Sequence, residues 1–101
     1  MTWPQSDKEK FLGLCPKSVA ESLVAYIEIG RPTGDFLYAV LTNNLREAFG
    51  RADTVNRHCM FDIVSALYNY APATCWGSKQ KVVAWYEARD KERHAPQPQE
   101  P

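Results

Sequence analysis

A chain of 101 residues, 45% of them hydrophobic, has room for one domain and too much apolar content for wholesale disorder. Twelve Lys and Arg balance twelve Asp and Glu. That balance argues against sequence-independent binding of nucleic acid, where counterion release rewards a basic surface, and equally against an acidic mimic of DNA.

No apolar run nears the roughly 20 residues of a membrane helix, and MTWPQSDKEK lacks the apolar stretch of a secretory signal. No membrane association is expected. Cys15, Cys59 and Cys75 are odd in number and far apart, so they read as reduced, partly buried thiols of a cytoplasmic protein. With His58 or His94 they miss the paired spacing of a zinc site, and no metal or cofactor is expected.

Ser6-Asp7-Lys8-Glu9 has the Ser-x-x-Glu form of a capping box and predicts a short helical turn through Phe11 and Leu12, stopped near Gly13. Ser18-Val19-Ala20-Glu21 repeats that form, Pro16 suits a first helical turn, and Val19, Leu23, Tyr26 and Ile27 share a face. A first full helix therefore spans 16–29. Gly30 closes it in the left-handed conformation and Pro32 bars continuation.

Thr33 or Gly34 caps a second helix, with Asp35 at its positive end. Phe36, Leu37, Val40, Leu41, Leu45, Ala48 and Phe49 form one stripe along it, up to Gly50. Asp53 or Thr54 opens a third, with Val55, Cys59, Met60, Ile63, Val64, Leu67 and Tyr68 inward, ended by Pro72. Ser78 caps a last helix carrying Val82, Val83, Trp85 and Tyr86.

No segment alternates as a strand does. The expected fold is all-α: a small antiparallel bundle of about four helices on short connections, preceded by a short N-terminal helical turn. Residues 1–15 form an N-terminal segment, 16–91 the bundle and 92–101 a disordered Pro-rich tail.

Four groups of residues hold potential chemistry. Gly30–Asp35, with Arg31 and the Thr33 hydroxyl, offers backbone N–H groups to an anion at a helix start, although a well-capped turn explains the same residues. Asn43, Asn44, Arg46, Glu47, Arg51, Asp53, Asn56 and Arg57 surround the turn between the second and third helices; their guanidinium and amide groups suit phosphates and base edges, or else the set is a surface ion-pair and capping network. Tyr70 and Trp76, beside Gly77, suit stacking on a base or covering the open end of the bundle. Cys59 and His58 diverge by about 100° on a helix and make no nucleophile–base pair, so catalysis is not expected.

The run GRPTGDFLYAVLTNNLREAFGRAD, followed by NRH, FDIVSALYNYAP, CWGS and KVVAWYE, resembles a family of small phage and prophage proteins over residues 19–87. The resemblance implies viral origin, an accessory role outside the virion and residence in the host cytoplasm. Accessory proteins of this kind counter host immunity. The leading expectation is a homo-oligomeric sponge that sequesters a cyclic nucleotide or ADP-ribose-type signal without cleaving it. Arg31, Arg46, Arg51 and Arg57 would hold phosphates, Asn43, Asn44 and Asn56 would read polar edges, and Tyr70 or Trp76 would stack. The alternative is an inhibitor that occludes a host defence protein. A third reading, a DNA-associated regulator using Asn56, Arg57 and His58, is opposed by the neutral charge.

Overall fold

Helix stops and starts are set by local backbone chemistry, and they divide this chain into short rods. The computed structural model describes residues 3–94, with the backbone alone at 93 and 94. In chain order these residues form α1 (Gln5–Leu14), α2 (Lys17–Ile29), α3 (Asp35–Leu41), α4 (Leu45–Arg51), α5 (Thr54–His58), α6 (Met60–Tyr70), a 3₁₀ turn (Ala73–Cys75) and α7 (Lys79–His94). No strand occurs among them, and the all-α class holds. No helix among the described residues is long and apolar enough to cross a membrane.

Several expectations need correction. The N-terminal turn is a ten-residue helix, α1, that runs through Gly13. It packs on α6 with Phe11 fully buried, so the N-terminal segment shares the common core. Neither Ser6 nor Ser18 caps a helix; Pro4 and Pro16 stand at those starts in extended backbone. Of the segment 92–101, the first three positions continue α7 and residues 95–101 lie outside the described residues.

The second predicted helix is two. Thr42 turns its hydroxyl back onto the Tyr38 carbonyl at 2.8 Å, and Asn43 takes the left-handed conformation at φ 63°. The Asn43 and Asn44 N–H groups then reach back to the carbonyls of Val40 and Ala39, a Schellman closure with Asn in the usual glycine place. Asn44 opens α4 at once, accepting from the Glu47 N–H at 3.3 Å. The third predicted helix also breaks, at Cys59 (φ −101°, ψ 6°).

Each break resets the helical phase and changes which residues face inward. Leu45, Phe49, Val55, Val64 and Tyr68, all expected inside, are exposed, and so is Val83 on the unbroken α7.

The core that remains is continuous, built mainly from Phe11, Leu23, Tyr26, Ile27, Leu41, Ile63, Leu67 and Val82. Two buried polar groups stitch it. The Tyr26 hydroxyl donates to the Cys75 carbonyl at 2.7 Å, and Trp85 Nε1 donates to the Tyr26 and Ile27 carbonyls at 3.3 and 3.2 Å. α2 is thereby tied to the 3₁₀ turn and to α7.

Gly30 ends α2 as expected, at φ 72°. A Cβ placed there would lie 2.5 Å from the Arg89 Cβ. Gly30→Ala is expected to destabilise by about 2–4 kcal/mol, from left-handed strain plus overpacking, read as a lower urea midpoint.

All three cysteines are free thiols. Burial pushes the Cys15 thiol up to about 11, with Asp62 and Cys59 adding to the rise. Burial likewise raises Cys75 to about 12. At pH 8 a thiol reagent should label one site quickly, the half-buried Cys59, and all three in urea. Because these folded values lie above the ordinary 9.0, the stability tied to the neutral thiols is complete below that pH. It is lost as the pH climbs toward the folded values, and the urea midpoint should fall over that range.

Candidate functional site

Residues of the α3–α4 hairpin, α6 and Trp76 line a groove of about 100 Å³. Its floor and walls are apolar: Val40, Leu45, Ala48, Met60 and Val64, with Trp76 closing one side. Asn43 and Asn44 supply the polar rim. Trp76 stands there because the chain is pinned on either side of it, before it by the Tyr26 hydroxyl on the Cys75 carbonyl and after it by the Gly77 N–H on the Leu41 carbonyl at 2.7 Å. Asn43 and Asn44 stand there because they make the hairpin turn itself.

Beside the groove, α6 carries a second apolar arc. Its core arc holds Met60, Ile63, Ala66 and Leu67. Phe61, Val64 and Tyr68, spaced i, i+3 and i+7, point to the other side. Phe61 and Tyr68 are each 80% exposed. Leu45, at the start of α4, is 68% exposed. The helix is thus apolar around most of its circumference, a pattern that ordinarily accompanies burial on both sides.

The structure brings Asn43, Asn44 and Trp76 together at the groove. It does not gather the arginines there. Arg51 is held by Glu47 at 3.1 Å and Asp35 at 3.3 Å. It lines one cavity with Tyr38, Thr42 and Asn44 and another with Asn56, and carboxylates share both: Asp35 and Glu47 in the first, Asp35 and Asp53 in the second. Arg31, Arg46 and Arg57 are exposed and line none of these cavities. Asn56 sits in the first turn of α5, its N–H donating to the Asp53 carboxylate at 2.7 Å.

Thr33 and Tyr70 stand apart from the groove and serve packing. The Thr33 hydroxyl is buried without a partner at full hydrogen-bonding geometry. Tyr86 lies close to it: burial raises the Tyr86 phenol, and the Thr33 backbone and hydroxyl pull it partway back. The Tyr70 carbonyl accepts from Trp3 Nε1 at 2.7 Å, and the Lys10 ammonium lies 5.9 Å from the Tyr70 ring centre. Among the described residues no group of three His, Cys, Asp or Glu side chains is placed to hold a metal ion.

The most exposed part of this surface is not what the sequence pattern predicts, which places Leu45, Val64 and Tyr68 inward and gives Phe61 no face. The available signal was the surplus of apolar residues on α6, more than one buried arc accommodates.

Since Asn44 works as a helix cap, Asn44→Ala should cost about 1 kcal/mol. Asn43→Gly should shift stability by only a few tenths of a kcal/mol, because glycine accepts the left-handed turn without strain. Urea unfolding of both variants checks the pair.

No protein-family model matches the chain, and no curated protein or solved structure shows significant similarity to it.

Proposed function

We propose that the chain is a non-catalytic protein-binding module whose α3–α4/α6 groove receives an aliphatic anchor side chain from a partner protein. The supporting observation is the groove itself: apolar walls, a polar asparagine rim, and a volume of about 100 Å³ that suits one leucine- or methionine-sized side chain. Interfaces draw most of their energy from a few anchors seated in such pockets and ringed by groups that exclude water. Leu45 and Trp76 supply that ring here, and the Asn43 and Asn44 amides can satisfy the backbone of an arriving segment.

Placed in the phage setting that the sequence resemblance implies, this is the inhibitor reading: a small accessory protein that occludes a host protein. The nucleotide-sponge reading draws less support. An anion approaching Arg51 and Asn56 would face Asp35 and Asp53 in the same cavity, and Arg51 already spends its charge on two carboxylates. Oligomerisation and residence in the host cytoplasm belong to the same proposal.

A photo-cross-linking amino acid at Leu45 or Asn43, in the full chain expressed in its natural host cells, is expected to trap one protein species. The same group at Glu87 should not trap it. Equal yields from all three positions would overturn the reading, and adducts only to another copy of the chain would reassign the groove. Leu45→Asp, exposed and so compatible with folding, should weaken the trapped complex about tenfold or more, the equivalent of ~1.4 kcal/mol. Calorimetric titration with cyclic dinucleotides, cyclic trinucleotides and cyclic ADP-ribose should give no heat; a saturable signal with any of them would restore the sponge.

A further inference from the structure

The outer arc of α6 has a property that the groove does not use. Phe61 and Tyr68, both 80% exposed, are the two most exposed large hydrophobic side chains among the described residues and lie seven positions apart on one face of α6. An isologous contact places residue i of one copy on residue j of the other and j on i, so a two-fold axis between Val64 and Ser65 sets Phe61 against Tyr68 twice.

We infer that a second copy of this chain docks here, α6 against α6 in antiparallel orientation. Phe61 of each copy then stacks on Tyr68 of the other, and Ser65, small and half-buried, lets the helices approach at the crossing point.

Three features suit a second copy. The arc carries no charged side chain, so it offers nothing to an acidic or basic surface; Asp62 and Asn69 lie to one side of it, on the polar edge of α6. The chain has no net charge, so two copies approach without long-range repulsion.

The available area also fits. An aromatic residue can bury roughly 150–250 Å². Phe61 and Tyr68 at their observed exposure, with Val64 and the rim of Ser65, therefore present on the order of 400 Å² of mostly apolar surface. The smallest stable interfaces bury about 600 Å² per partner, of which about 65% is apolar in homodimers. Fully covered, the arc supplies the apolar share of such an interface, and Asp62 and Asn69 are positioned to supply part of its polar rim. The pairing sets the two grooves beside the interface, one on each copy, with Val64 at the boundary of groove and arc.

Sedimentation velocity of the full chain, from micromolar to millimolar concentration, is the test. The wild type should move toward twice the 11.5 kDa mass of one chain as concentration rises. Phe61→Glu and Tyr68→Lys should each remain at the mass of one chain while keeping the wild-type helical spectrum. The double variant Phe61→Glu/Tyr68→Lys should recover the dimer, since the two-fold arrangement sets each new carboxylate against a new ammonium of the other copy. A wild type that stays at one-chain mass throughout, single variants that still dimerise, or a double variant that fails to recover would each overturn the inference. A monomeric wild type whose Leu45 position still traps another protein would remove the second copy alone and leave the groove reading standing.

Discussion

The hydroxyl of Tyr26 is the contact on which the rest of the arrangement depends. The ring is fully buried on α2, and its O–H donates to the Cys75 carbonyl 2.7 Å away. Burial drives that phenol far above its ordinary range, so it acts as a fixed neutral donor. A buried carbonyl left without a partner costs about 1–3 kcal/mol, a large fraction of the stability of a domain this small. The 3₁₀ turn is therefore held in one place. From it follow the Gly77 N–H bond to the end of α3 and the position of Trp76 over the groove.

Trp85 makes a similar tie from α7 to α2. Its indole N–H satisfies carbonyls at the helix end, while the Arg89 guanidinium covers its ring at 4.5 Å. Gly30 lets α7 come this close, because no side chain intervenes. α2 is thus tied to the 3₁₀ turn by its own Tyr26 and to α7 by Trp85, and the edge-to-face contact of Tyr26 with Tyr86 at 5.4 Å adds a second link to α7. Rigid support of this kind suits a binding surface, since a preformed pocket loses little entropy when it is filled.

Against that anchored side stands the α4–α6 side, where apolar residues outnumber the neighbours available to cover them. Short helices separated by breaks at Thr42–Asn44 and Cys59 cannot wrap one another completely. Large apolar side chains left in water carry a cost of about 25 cal/mol per Å², and contiguous patches of them commonly mark interaction sites. The proposed groove partner and the inferred second copy account for different parts of this surplus, the groove for Leu45, the α6 arc for Phe61 and Tyr68.

How far the sequence reached is best judged residue by residue. Gly30, Asp53, Pro72 and Ser78 mark true boundaries, and the Lys81 N–H does donate to the Ser78 hydroxyl at 3.1 Å. Left-handed closure, capping and proline exclusion act within a few bonds, so they are legible without the fold. Thr42-Asn43-Asn44 carried an equally local signal, a helix stop followed by a cap, but the apolar stripe on both sides masked it. What sequence alone could not determine is which apolar residues are covered. Val64 and Met60 belong to one helix and one hydrophobic class, yet one is exposed and the other buried, because coverage depends on which helices arrive from distant parts of the chain. The same holds for Arg51, whose carboxylate partner Asp35 comes from a different helix. Helical class and punctuation came from the order of residues; the exposed face and the fate of the arginines came only from how the helices stack.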